Sequence, residues 1–283
     1  MRSEDWQLTE DLDDFLGRVG GFLRAQPVSN IMQLTVAQRL REGRGGGAGA
    51  AVFGWLERGG EVVGSFYRLP GRGVGLGPLT PEQADSLAVR LKALGHDLPY
   101  VSADQRTAVA FAEAWQRHAG AVSTLRVRLH LYRLGTLTPP QPFPAGRARS
   151  VGEEDLGALM DMCRGFAADV GEDVTIDAGS WAGTRFADKS YTFWETPDGA
   201  PVSMAGVNPA VAGMAQVDPV YTPAHHRGHG YAAAVSAQVS RAARDAGAQE
   251  VVLFTDAANP TSNALYQRIG YEHVTDWAAY DFT

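Results

Sequence analysis

The chain has 283 residues, of which 45% are hydrophobic and 20% charged, and a net charge of −7. That length provides about two domains, each with its own core. The acidic balance offers no electrostatic footprint for nucleic acid, and no apolar run of about 18 residues predicts a membrane span. The single cysteine, Cys163, excludes an internal disulfide and a cysteine metal cluster. The opening MRSEDWQLTEDLDDFL is acidic, without a basic-then-apolar leader, so a cytoplasmic location is expected.

Trp6, Leu8, Leu12, Phe15, Leu16, Val19, Phe22 and Leu23 recur at helical spacing and predict a helix over residues 5–25, which Pro27 ends. A short helix is expected over Ile31–Arg41, and residues 43–49 read as a flexible glycine turn. Residues 51–55 and 61–69 read as strands around Arg58-Gly59-Gly60, with a third at 73–76. Helices over 81–94 and 107–118 flank a short strand at 99–102. Residues 125–134 alternate apolar and polar side chains, as a half-buried strand does. Residues 135–146 hold four prolines and form the linker.

The second half repeats this plan. Residues 151–166 read as a helix, with Glu153, Glu154 and Asp155 favourable in its first turn and Cys163 packed inside it. Residues 191–195 and Pro201–Val207 form a hairpin around Pro197-Asp198-Gly199. A strand over 214–222, a helix over 231–246 and a strand over 250–255 follow. VSADQRTAVAFAEAWQRHAG is loosely echoed by LFTDAANPTSNALYQRIG, so a tandem pair of similar folds is expected.

The most informative stretch is VDPVYTPAHHRGHGYAAA, residues 217–234. An apolar strand runs into a turn, His226-Arg227-Gly228-His229-Gly230, and an alanine-rich helix leaves it. The first amides of a helix lack internal acceptors and carry the positive end of its dipole. Glycines let a ligand approach the backbone closely, which makes an anion site. A strand-to-helix turn that needs glycine only for its dihedrals fits the same residues. A nucleotide-triphosphate loop does not, because no lysine follows Gly230; the third glycine of a dinucleotide fingerprint is also missing.

Downstream, residues 259–271 read NPTSNALYQRIGY. A (Q/R)xxGx(G/A) turn after a strand, then about 30 residues later an N-x6-LYxxxG(F/Y) helix, is the pattern of acyl-CoA-dependent N-acyltransferases. The chain resembles the GNAT superfamily over residues 145–283, with His225 standing where Gln or Arg is usual. The resemblance implies an α/β (α+β) fold of two GNAT-like domains, each a mixed, mostly antiparallel sheet flanked by helices. The division expected is a degenerate domain at 1–138 and an acetyltransferase domain with the acetyl-CoA site at 145–283. The first copy lacks the R-G-x-G turn and an asparagine matching Asn259, and Trp115 stands near where the second copy has Tyr266.

The resemblance further implies roles for individual residues. Val220, Tyr221 and Thr222 would line the pantetheine, and the Val220 amide would polarise the thioester carbonyl. Arg227, Gly228, His229, Gly230, Tyr231 and Ala232 would hold the pyrophosphate, Arg227 also through its guanidinium. Asn259, with Asn263 on the same helical face, would meet the pantetheine arm. Tyr266, protonated at neutral pH, would be the general acid toward the leaving thiolate. Asp218, Glu195, a water relay and a carboxylate from the 150–180 region are candidate bases, and Asp218-Pro219 marks a bulge that splays the strand. Glu153, Glu154, Asp155, Asp161, Asp169, Glu172, Asp173 and Asp177 make the region bordering the acceptor site acidic, which would attract an amine. His225, His226 and His229 have no acidic ligand nearby in sequence, so no metal is expected. The function implied is acetyl transfer from acetyl-CoA to a small-molecule or peptide amine, by a monomer or homodimer. A non-catalytic acyl-CoA sensor is the alternative.

Overall fold

In a computed structural model, residues 6–44 and 49–283 are described. The acidic opening residues 1–5 and most of the glycine turn at 43–49 lie outside the described residues. The chain folds as two compact units. The first is Met1–Leu131, Asp256–Ala258 and Val274–Thr283; the second is Tyr132–Thr255 and Asn259–His273.

The first unit begins with β1 (Trp6–Thr9), α1 (Leu12–Ala25) and α2 (Ile31–Arg41). The helix expected over 5–25 is thus a strand followed by a helix. Trp6 and Leu8 alternate with polar residues, the period of a strand, and Asp11 caps the new helix by accepting from the amides of Asp13 and Asp14. Strands β2 (Val52–Arg58), β3 (Glu61–Arg68) and β4 (Val74–Leu76) lead into α3 (Pro81–Ala93). Next come β5 (Tyr100–Asp104), α4 (Gln105–Ala119) and β6 (Ser123–Leu134), whose last three residues belong to the second unit. The unit's sheet runs β1-β2-β3-β4-β5 and is continued by β12 (Tyr271–Phe282), the last strand of the chain. Trp277 to Asp281 pair antiparallel with Asp104 to Tyr100. Phe66, Leu87, Phe111 and Trp115 anchor the core, which Ala278 of β12 also enters.

The second unit contains β7 (Arg147–Ser150), a strand that no local pattern announces, then α5 (Leu156–Asp169), β8 (Ser190–Glu195), β9 (Pro201–Val207) and β10 (Met214–Tyr221). It is completed by α6 (Tyr231–Asp245), β11 (Glu250–Asp256) and α7 (Pro260–Arg268). Its sheet order is β11-β10-β9-β8-β7; every pair is antiparallel except β10 with β11. Cys163 is buried against Leu159, Phe186 and Phe193 under α5, as expected for a packing residue.

The two stretches expected as separate domains therefore interleave. The second unit ends at His273, and the segment from Val274 onward fills a place in the first unit's sheet. Among the described residues, no helix is long and apolar enough to cross a membrane.

Candidate functional site

β10 organises the site. It pairs in parallel with β11 only from Met214 to Gln216, opposite Glu250 to Val252. Beyond Gln216 it continues to Tyr221 without a ladder to β11, and its register with β9 shifts between Val217 and Val220. A bulge of this kind bends and twists its strand away from a neighbour. Pro219 sits inside it and has no amide to donate. The bulge needs room on β9: a Cβ on Gly206 would meet the Asp218 carbonyl oxygen at 2.7 Å and Pro219 Cδ at 3.0 Å. The sequence expectation of a splayed strand at Asp218-Pro219 thus coincides with the observed shift, while Gly206 was not anticipated.

After β10 the chain makes a short turn and enters α6 through Gly228 and Gly230, at φ 82° and 80°. Both conformations are left-handed, and a Cβ at Gly228 would meet nothing within 4 Å. No side chain caps α6. Its first internal amide bond runs from Ala234 to the Gly230 carbonyl, 3.0 Å. The amides of Tyr231, Ala232 and Ala233 precede it and have no intrahelical acceptor. Three orphan donors at a positive helix end, behind glycines that leave the approach open, suit an anion.

The flanking groups are more committed than sequence suggested. The Arg227 amide donates to the Ala224 carbonyl, 3.3 Å. Its Nε donates to the Thr222 carbonyl at 3.0 Å, and its guanidinium pairs with Asp169 and lies 6.0 Å from the Tyr221 ring centre. In this arrangement Arg227 ties the end of α5 to the turn. Tyr221 packs on α5, where a Cβ on Gly165 would strike its hydroxyl at 2.4 Å. The Tyr221 carbonyl accepts from Ser203 Oγ at 3.1 Å, and Thr222 Oγ1 meets the same hydroxyl at 2.8 Å. His229 lies 2.9 Å from the Arg227 carbonyl and stacks on Tyr231 at 5.5 Å. His225 and His226 have ring centres 4.0 Å apart. Burial, with His225 and His229 beside it, holds the His226 imidazole below its ordinary value.

α7 closes the other side. Asn259 is its N-cap, accepting from the Ser262 amide at 3.0 Å, with Pro260 at the first helical position. Asn263 follows one turn later, its amide bonded to the Asn259 carbonyl at 3.1 Å. Tyr266 is buried, edge-on to Tyr271 at 5.8 Å. Burial raises its pKa well above the ordinary phenol value; Tyr271 and Asp218 add to the shift and Ser236 opposes it. Gly270, at φ 101°, ends the motif because nothing larger fits: a Cβ there would lie 1.9 Å from the Thr136 carbonyl oxygen.

Asp218 stands apart from the role expected for it. Its carboxylate pairs with Arg185 at 2.8 Å and Lys189 at 2.7 Å. Lys189 is nearly buried and also donates to Asn208 at 2.5 Å, while Arg185 reaches Glu172 at 2.6 Å. Burial alone would raise the Asp218 pKa, but Lys189 and Arg185 outweigh it and hold the group below the usual carboxylate range. A carboxylate stabilised as an anion by two cations is a poor proton acceptor. Glu195 is likewise held low by Arg149 at 2.5 Å, despite its burial, with Arg147 adding at 3.3 Å. The geometry thus argues against both as bases. The acidic stretch is largely spent on structure: Asp155 pairs with Arg149, Asp161 with Arg164, and Asp177 caps its own turn. Among the described residues, Glu153, Glu154 and Asp173 make no ion pair.

The first unit offers an internal contrast. At the corresponding helix, α3, Thr80 accepts from the Gln83 amide at 3.3 Å and Gln83 returns a bond to the Thr80 amide at 2.8 Å. This capping box occupies donors that α6 leaves open. Thr107 of α4 bonds both the amide and the carbonyl of Leu79, at 2.9 and 3.4 Å, in the turn before α3. Trp115 is a core residue stacked on Phe111.

A bulged strand, an uncapped helix behind a two-glycine turn, and a tyrosine-bearing helix define the site of this α/β domain. Residues 160–271 match the model of the acetyltransferase (GNAT) family, and this stretch is a GNAT acetyltransferase domain. Similar solved structures include an acetyltransferase of the GNAT family from Colwellia psychrerythraea, with 13% identity and a TM-score of 0.59 over 98% of both chains. A tandem GNAT protein from the clavulanic acid biosynthesis pathway gives 14% identity and a TM-score of 0.54, again over 98% of both chains. A GCN5-related N-acetyltransferase from Kribbella flavida gives 21% and 0.52, over 77% of this chain and 86% of its own. At these identities the likeness is one of fold, and in the first two it extends over nearly the whole chain. No curated protein matches the sequence.

Proposed function

We propose that the protein is an acetyl-CoA-dependent N-acetyltransferase that moves the acetyl group directly to a primary amine in a ternary complex. One observation carries the reading: the amides of Tyr231, Ala232 and Ala233 are uncapped behind Gly228 and Gly230, at the end of a strand that has left its parallel neighbour. The first unit's equivalent helix end is filled by its own side chains, which supports a degenerate role for that half.

Acetyl-CoA supplies an activated acyl carbonyl and a thiolate leaving group. Around it the chain's residues divide the work. The α6 amides and the amides of Gly228 to Gly230 hold the diphosphate. The Val220 amide, on the stretch of β10 without a ladder to β11, stabilises negative charge on the acyl oxygen. Tyr266 keeps its proton at neutral pH and gives it to the departing sulfur. Asn259 and Asn263 face the pantetheine from α7. Asp218 we assign to positioning: its pairs with Arg185 and Lys189 anchor the bulge that aims Val220. The amine's proton leaves to water, and no metal takes part.

Coenzyme release measured across a panel of small amines, polyamines and peptides, alongside calorimetric titration with acetyl-CoA, tests the reading. Saturable binding plus amine-dependent release is expected. Binding without release for any amine class would point instead to a sensor of acyl-CoA; absence of binding overturns both.

A further inference from the structure

An acid that gives up its proton in a buried place leaves a charge behind. When Tyr266 protonates the sulfur, its O–H bond breaks, the electron pair stays on oxygen and an S–H bond forms. The phenolate that remains needs a hydrogen-bond donor, because an unpaired buried charge is costly. Two serines of α6, Ser236 and Ser240, are fully buried. Four positions apart, they share one face of the helix, about 5.4 Å from each other along its axis. Tyr266 and Tyr271 pack in the same core as α6, with ring centres 5.8 Å apart. The spacing of the serines matches that of the tyrosines.

The two serines differ in what their hydroxyls already do. Ser240 Oγ donates its one hydrogen to the Ser236 carbonyl at 2.6 Å, and so accepts from the Tyr271 hydroxyl at 2.7 Å. Ser236 Oγ is buried and has no hydrogen-bond partner among the described residues. It is nevertheless the side chain that opposes the effect of burial at the Tyr266 hydroxyl, by favouring the ionised phenol. A buried hydroxyl without a partner destabilises the protein that carries it. Its place beside Tyr266 points to a state in which the hydroxyl is used.

We propose that Ser236 is a positioning residue for proton delivery: its hydroxyl donates to the Tyr266 oxygen once that oxygen has passed its proton to the departing sulfur. The inference rests on the assignment of Tyr266 as the general acid. Water returns the proton to Tyr266 after the products leave, and Ser236 is then idle again. Ser240 and Tyr271, already bonded to each other, hold the neighbouring ring in place and take no part in the transfer.

Single-turnover acetyl transfer to an amine that the native protein acetylates, with calorimetric titration of acetyl-CoA, tests it on the full chain. Ser236→Ala should slow transfer about tenfold, the scale of one charge-assisted hydrogen bond, and leave acetyl-CoA affinity unchanged. Its melting temperature should match or exceed the native value, since the hydroxyl removed has no partner to lose. In a Tyr266→Phe background the same substitution should change nothing further, because the pair acts as a unit. A purely structural role for Ser236 would slow both backgrounds alike. Unchanged transfer in Ser236→Ala, or equal losses in the two backgrounds, overturns this inference and leaves Tyr266 standing as the acid. If Tyr266→Phe alone transfers at the native rate, the assignment of Tyr266 and this inference fall together.

Discussion

The proposed role of Tyr266 requires a hydroxyl that keeps its proton until the sulfur needs it. Burial, then Tyr271, favours the protonated phenol, with Ser236 the opposing influence. Tyr266→Phe should lower kcat by about 10²–10⁴-fold, the usual contribution of a positioned acid, with little change in acetyl-CoA affinity; unchanged turnover in a stopped-flow assay would remove Tyr266 from the mechanism. Carboxylates set the acid limit of stability. Arg149, and then the Gly152 amide, hold Asp155 down at about 2 against an ordinary 3.8, and Lys189 and Arg185 depress Asp218. A depressed carboxylate contributes stability above its unfolded pKa and loses it as pH falls through the folded value. The melting temperature should therefore fall between about pH 4 and pH 2, and less steeply in Asp155→Asn, measured relative to each protein's neutral value; parallel slopes would contradict the assignment. That Asn259 caps the helix carrying Tyr266 was legible because both sit in one short motif. The pairing of Lys189 with Asp218 was not, because the partners are 29 positions apart and no local spacing links them.

Among the elements, α3 and α6 show how a few residues decide whether the amides of a helix end are satisfied internally or left open. Thr80 and Gln83 satisfy α3 internally; Gly230 leaves α6 open. Thr80→Ala should cost about 1 kcal/mol of stability and leave acetyl-CoA affinity unchanged, read by denaturant titration and calorimetry. Gly230→Asp should abolish the rise in melting temperature that acetyl-CoA gives the native protein, because a carboxylate would stand among the orphan amides. A variant that binds as well as native protein would move the diphosphate elsewhere. The two ends could be told apart in sequence, since a GPLTPEQ turn carries capping residues and HRGHGYA does not. The bulge was readable from Asp218-Pro219, but Gly206, which makes room for it, carries no local signature. The opening strand is hard to see in sequence because Trp6 and Leu8 satisfy helical and strand spacing alike; Asp11, a capping residue, was the available signal.

For the molecule as a whole, tandem order was visible in the repeated run of elements, but the way the chain is shared was not. β12 gives Trp277 to Asp281 to the first unit's sheet, a pairing between residues far apart in sequence. Trp277 and Ala278 are buried there, and Trp277 Nε1 donates to Ser102 Oγ at 2.8 Å. A fragment of residues 1–138 should therefore fail to unfold cooperatively, while the same fragment mixed with a peptide of residues 274–283 should gain structure. A cooperative transition for the fragment alone, by circular dichroism, would contradict the shared-strand arrangement.

The most direct measurement is a crystal structure of the full chain grown with acetyl-CoA. The diphosphate is expected within hydrogen-bonding distance of the amides of Tyr231, Ala232 and Ala233, with the thioester oxygen at the Val220 amide and the sulfur beside the Tyr266 hydroxyl. Coenzyme seated in the first unit, or a diphosphate away from the α6 end, would contradict the assignment.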